Sequence, residues 1–186
     1  MLREGREVIV PKAQGVVLEL GAGAGANFEF YAPDQVTKVY ALEPEPGLVS
    51  RLRKAARKAP VPIEVLTETA ETLSLPPGSV DTVLVTFALC TIPDVPAALA
   101  GARRALKTGG QLLFCEHGRA PDDKVARTQA RLEPVWKKLF GGCHLTRDIP
   151  ALIGNAGFKI TDIEAKYLPS VPRFAGYNYR GAARSS

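Results

Sequence analysis

The chain has 186 residues, 46% of them apolar, and a formal net charge of +5 at pH 7. That length buries one substantial core and is short for two, so a single domain over residues 1–186 is expected. The longest apolar runs, such as Val80–Cys90, reach about half of a membrane-spanning helix, and Arg3, Glu4 and Arg6 replace a signal-peptide pattern, so the sequence reads as soluble and cytoplasmic, without an integral membrane anchor.

The positive charge is spread along the chain and dense only over Arg51–Lys58, which reads as the solvated face of a helix. Cys90, Cys115 and Cys143 are odd in number, far apart, and without metal-ligand spacing to His117 and His144. Neither a disulfide framework nor a bound metal is expected.

From Val16 to Leu20 a short apolar run breaks into glycines, the pattern of a buried parallel strand entering a tight turn. A helix is expected beyond the glycines, then a second strand over Lys38–Leu42. After Glu43-Pro44-Glu45-Pro46, Leu48, Leu52, Ala55 and Ala56 recur at helical spacing. Ile63–Leu66 and Val80–Phe87 are the next strands, and a helix over about residues 95–106 ends at Lys107-Thr108-Gly109-Gly110, where glycines accept positive φ. Gln111–Cys115 follows as the fifth strand.

Beyond Asp122, Val125, Leu132, Val135, Trp136, Leu139 and Phe140 follow helical spacing, with Pro134 expected to kink or split the element. A helical cap region is expected over about residues 121–156. Phe158–Tyr167 and Phe174–Tyr179 are the last strand candidates and would close one sheet edge. The fold class is therefore α/β: a doubly wound, mostly parallel seven-stranded sheet, helices on both faces, and an antiparallel strand near the C-terminus. Such sheets bind ligands beyond the carboxyl ends of their strands, here at Gly21, Glu43, Phe87 and Glu116.

The loop Glu19-Leu20-Gly21-Ala22-Gly23-Ala24-Gly25-Ala26-Asn27 lets a ligand touch backbone where Cβ atoms are missing. Its candidate cofactor residues are Glu19, Gly21, Gly23 and Asn27. Glu43, with Pro44 behind it, lies about twenty residues on and would accept hydrogen bonds from two ribose hydroxyls. The competing role for Glu43 is a cap on the next helix. Loop and carboxylate together fit a nicotinamide cofactor as well as S-adenosylmethionine.

Thr69-Ala70-Glu71, Asp81 and Leu106-Lys107-Thr108-Gly109-Gly110 resemble class I methyltransferases. The chain is further similar, over about residues 16–179, to a methyltransferase-like family that includes alkyl thiol methyltransferases, and more distantly to quinone-biosynthesis methyltransferases. The similarity rests on Gly25 to Tyr31, Ala88-Leu89-Cys90-Thr91-Ile92, Glu116-His117, Leu132 to Trp136, and Leu139 to Arg147. It implies S-adenosylmethionine as cofactor, with Gly21, Gly23 and Asn27 around the methionine part and Glu43 at the ribose. It also implies Ala70 and Glu71 at the adenine edge, beside the candidate Thr69, and Phe87 as the floor beside the sulfonium. Relatives often carry aspartate where Thr69 stands, so the hydrogen bond to the adenine amino group is expected from Glu71 or from a backbone carbonyl. Family members also carry helices, and some a hydrophobic anchor, before the first strand, so an unanchored protein with a more open site is expected.

Methyl transfer from a sulfonium is an in-line displacement in which alignment does most of the work, and a thiol acceptor needs the least basic help. His117, after the fifth strand, is the candidate base; its competing role is structural. His144 reads as a loop side chain and Cys90 as a buried thiol. Thr86-Phe87-Ala88-Leu89 lacks the Asn/Asp-Pro-Pro-aromatic pattern of amino-methylating nucleic-acid enzymes, which argues against a nucleic-acid partner. Trp136, Phe140 and Tyr177, with Leu139 and Tyr179, are candidates to line an apolar acceptor pocket, against a competing role in packing. Lys137-Lys138 beside Trp136 leaves peripheral membrane contact and phospholipid amines open, alongside phenols and quinone precursors. The reading is methyl transfer to a small, largely apolar acceptor, a thiol first; non-catalytic cofactor binding and nicotinamide-dependent chemistry are the distant alternatives.

Overall fold

A computed structural model describes residues 2–185 of the chain. Strands β1 (Gly15–Leu20), β2 (Val36–Leu42), β3 (Ile63–Leu66), β4 (Val80–Thr86) and β5 (Leu106–His117) run parallel. β6 (Phe158–Tyr167) and β7 (Tyr177–Ser185) join antiparallel at one edge, giving the order β3-β2-β1-β4-β5-β7-β6. The chain reverses direction of travel across the sheet between β1 and β4, and the crevice beyond that switch is where doubly wound sheets bind ligands.

Side-chain alternation along the strands builds two apolar layers. Leu18, Leu20, Val83, Val85, Leu112 and Phe114 meet one face, covered by α3 (Val95–Ala105) and α5 (Ile149–Asn155) through Leu99, Ala102 and Ile153. Val17, Leu84, Leu113 and Cys115 meet the other, covered by α1 (Leu2–Ile9) and α2 (Pro46–Ala56) through Ile9 and Leu52. Both faces are covered, which is why the central strands read as short, largely apolar runs. Phe114 is fully buried, and its truncation to alanine would cost about 3–5 kcal/mol. Acidic caps start the covering helices: Glu45 accepts from the Gly47 N–H, Asp94 from Ala97 and Asp148 from Ala151.

Several sequence expectations need correction. Only a 3-10 turn, Phe28–Phe30, follows the glycine loop, because Asn27 and Tyr31 turn inward to a buried carboxylate instead of continuing a helix. α3 ends at Ala105, and Leu106 already has extended backbone, so the Lys107–Gly110 stretch lies within β5, bulged against β4. α4 (Asp123–Leu139) passes through Pro134 unsplit. Residues 173–176 form a helical turn, α6 (Arg173–Gly176), so the last strand starts at Tyr177 and runs on to Ser185. Before β1, Ile9 and Val10 are fully buried, and Arg6 of α1 reaches the ring of Phe87. Among the described residues no helix is long and apolar enough to cross a membrane.

Candidate active site

The three loop glycines do different work. A Cβ on Gly21 would stand 2.5 Å from the Ala88 Cβ, and one on Gly25 2.8 Å from the Ala55 Cβ. Both glycines let the loop pack down. Gly23, at φ +59°, would project its Cβ into space with nothing within 4 Å. It fronts an opening that a ligand can fill.

Glu43 holds that opening in shape. It is 6% exposed; its Oε2 accepts from the Gly23 N–H at 2.8 Å and its Oε1 from the Glu45 N–H at 3.0 Å. The cap of α2 is Glu45, so the capping role considered for Glu43 falls to its neighbour. Two bonds leave lone pairs on both Glu43 oxygens, as a ribose diol requires. Pro44 beyond it is exposed and lines an open cleft of about 790 Å³ with Pro46, Arg53, Arg57 and Thr67.

Glu19 and Asn27 lie beneath the loop. Glu19 is fully buried and accepts from Asn27 Nδ2 at 2.9 Å and from the Tyr31 hydroxyl at 2.6 Å. Asn27 Nδ2 also donates to Thr86 Oγ1 at 3.0 Å. Their polar atoms are engaged with one another, so they brace the loop from below. Burial pushes the Glu19 carboxyl up to about 7, more than its hydrogen bonds from Tyr31 and Asn27 lower it.

On the third side, Ala70 is buried, Thr69 Oγ1 lies 3.0 Å from Thr72 Oγ1, and Glu71 accepts from the Asp94 N–H at 3.3 Å. Phe87 sits at φ +53°, a conformation costing a side-chain-bearing residue roughly 1–2 kcal/mol. Its N–H donates to the Cys115 carbonyl at 2.9 Å, and Arg6 stands 5.0 Å from its ring. Glu116, also fully buried, fixes the next turn by accepting from the Ala88 N–H at 2.8 Å and the Leu89 N–H at 3.1 Å. Burial raises Glu116 to about 7 against those bonds. The bracing by Tyr31 and Thr86 and the turn-holding by Glu116 were not assigned from sequence; a buried acid at a strand end was the available signal.

His117, the candidate base, has a partner in the fold. Its Nε2 lies 3.2 Å from Cys143 Sγ, and the ligand atoms of Cys90, His117 and Cys143 all lie within 4.8 Å of one another. Spacing along the chain gave no hint of this. A hydrogen bond from Cys90, then one from His117, holds Cys143 below the usual thiol range against its burial. The same contact, with burial, raises Cys90, and Cys143 raises His117 although burial opposes the charge. The segment bearing Cys143 is tied to the one bearing Cys90: the His144 N–H donates to the Cys90 carbonyl at 2.8 Å, and Arg147 donates to the carbonyls of Leu89 and Ile92. Glu133 of α4 accepts from the Thr146 N–H at 2.8 Å and its hydroxyl at 2.7 Å, and meets His144 Nδ1 at 3.2 Å.

Trp136 stacks on Phe140 with centroids 3.9 Å apart and meets the edge of Phe174. The pair ends in open apolar surface: Phe140 is 52% exposed and Leu139 72%. The Cys143 N–H donates to the Phe140 carbonyl, so this surface adjoins the cysteine cluster. Tyr177 instead packs edge-on between Tyr167 and Tyr179, whose hydroxyl donates to the Arg119 carbonyl at 2.6 Å.

A parallel sheet with an antiparallel edge, a glycine loop after β1 and an acid after β2 are the features of class I S-adenosylmethionine-dependent methyltransferases. A methyltransferase-domain family profile matches residues 18–114, and the chain belongs to that family. It is 36% identical over 169 residues to thiol S-methyltransferase TMT1B of Homo sapiens, covering 86% of this chain and 68% of that one. It is 32% identical over 167 residues to thiol S-methyltransferase TMT1A of Homo sapiens, with the same shares of 86% and 68%. A SAM-dependent methyltransferase from Methanosarcina mazei superposes with a TM-score of 0.73 at 19% identity, covering 94% of this chain and 93% of that one. The cyclase SpnF superposes with a TM-score of 0.70 at 18% identity, over 99% and 80% of the two chains, so the fold by itself does not dictate the reaction. The family implies S-adenosylmethionine as methyl donor, and the open space at Gly23 beside the Glu43 carboxylate fits it.

Proposed function

We propose that this protein transfers a methyl group from S-adenosylmethionine to a small, largely apolar thiol. The observation that carries the reading is the pairing of Cys143 with His117 at the end of β5, beside the open Trp136–Phe140 surface. An imidazole whose charged form is favoured by its cysteine partner, set beside apolar surface, would raise the thiolate fraction of a small apolar thiol, the acceptor that needs the least basic help. The names of the TMT1A and TMT1B relatives support the same acceptor class.

When bound, the cofactor supplies an electrophilic methyl carbon. Glu43 would hold its ribose, the backbone at Gly21 and Gly23 its methionine part, and Thr69, Ala70 and Glu71 the adenine side. Glu19 and Asn27 hold the loop, and Phe87 forms the floor. His117, engaged by Cys143, would polarise or orient the acceptor instead of acting as a free base. The test is release of S-adenosylhomocysteine across a panel of thiols, phenols, amines and a phospholipid. Alkyl thiols should turn over fastest; silence from every thiol while another class turns over would refute the acceptor assignment.

A further inference from the structure

The Cys90, His117 and Cys143 ligand atoms converge from three separate segments: the turn after β4, the end of β5 and the loop after α4. We propose that Cys90 Sγ, His117 Nε2 and Cys143 Sγ form a three-ligand site for a soft divalent cation, zinc first, with its fourth position open to the acceptor thiol. The position for the thiol rests on the thiol-acceptor reading; the cation site does not.

Geometry and donor set support the assignment. A tetrahedral zinc ion at ordinary bond lengths, about 2.3 Å to sulfur and about 2.0 Å to nitrogen, spaces its ligand atoms by roughly 3.5 Å. The observed S···N distance of 3.2 Å and the mutual limit of 4.8 Å need only small side-chain rotations. Two thiolates and one neutral imidazole balance the charge of a divalent ion, and two cysteines with one histidine and an open position is a catalytic type of zinc site. The carbonyls of Leu89, Cys90 and Ile92 receive hydrogen bonds from Arg147 and His144, so the two cysteine segments are clamped together before any ion arrives. Glu133 fixes the other side of the Cys143 loop to α4. Cys90 is buried, whereas His117 and Cys143 are partly open, and the Cys143 N–H bonds the Phe140 carbonyl, so the cluster is reached from the His117–Cys143 side.

On binding, the acceptor thiol loses its proton to solvent and its sulfur coordinates the cation as thiolate. That sulfur then forms the new bond to the methyl carbon while the sulfonium carbon–sulfur bond breaks, its electron pair staying on the departing adenosylhomocysteine. The product thioether is a neutral, weaker ligand and leaves.

The experiment uses the full chain, reduced with a phosphine and freed of metal by chelation, titrated with cobalt(II) as spectroscopic probe and with zinc(II) in competition. Expected are one cobalt per chain, tetrahedral ligand-field bands and a thiolate-to-metal charge-transfer band that zinc removes. Cys143→Ser should lose about half of the charge-transfer intensity, and His117→Ala should weaken zinc at least tenfold while the protein still unfolds cooperatively. Adding an alkyl thiol to the cobalt protein should strengthen the charge-transfer band. Absence of a thiolate band in the wild type overturns the site. A cobalt band that does not respond to a thiol the enzyme methylates overturns the open position. Equal thiol turnover with and without zinc would likewise remove the cation from catalysis while leaving the thiol reading intact. A metal site with no thiol methylated would do the reverse.

Discussion

Glu43 Oε2 accepts a hydrogen bond from the backbone N–H of Gly23 at 2.8 Å, joining the end of β2 to the glycine loop. One carboxylate therefore shapes the loop and presents the lone pairs a ribose needs. Glu43→Ala should weaken S-adenosylhomocysteine by roughly 1.5–3 kcal/mol, the range for charge-assisted hydrogen bonds. Calorimetric titration checks this, and loss of stability with unchanged affinity would contradict it.

The glycines predict a split between folding and binding. Gly21→Ala drives a Cβ to 2.5 Å from Ala88 and should lower the unfolding midpoint more than Gly23→Ala, whose Cβ meets nothing within 4 Å. Gly23→Val should remain folded, at a backbone cost of roughly 1–2 kcal/mol, and lose cofactor affinity. Thermal unfolding with calorimetry on the same variants separates the two effects.

Glu19 predicts a pH signature. Its carboxyl is raised from 4.5 to about 7 in the folded chain, so folding favours the protonated form. That contribution is fully present below the unfolded value and is lost as pH rises through the folded one. The midpoint of the wild type minus that of Glu19→Gln should therefore be more favourable near about pH 5 than near about pH 8. A difference independent of pH would contradict the buried, raised acid.

Much of this was legible in the sequence. β3 and β6 begin and end where the sequence predicts, because Ile63–Leu66 and Phe158–Tyr167 are bounded by turn residues. Glu43 and Gly23 were legible because strand, glycines and acid are close in the chain. The helix after the glycines was not, because the tertiary pull of Glu19 on Asn27 and Tyr31 overrides the local pattern. The Cys143–His117 contact was hidden for the same reason: its partners are 26 residues apart and meet only through the folding of the α4 loop onto β5.

Glu133 joins α4 to that loop through Thr146 and His144. Glu133→Ala should lower kcat with an alkyl thiol while leaving S-adenosylhomocysteine affinity within about twofold, since its contacts lie outside the glycine loop. An equal fall in cofactor affinity would show that the loop supports the whole site.

Methyl transfer to sulfur is read by following a labelled methyl group from S-adenosylmethionine into product by mass spectrometry. With an alkyl thiol and its alcohol analogue in competition, the label should appear in the methyl thioether, with one adenosylhomocysteine released per thioether formed. Label in the alcohol's ether, or in a phenol or phospholipid amine with no thioether from any thiol, would contradict it.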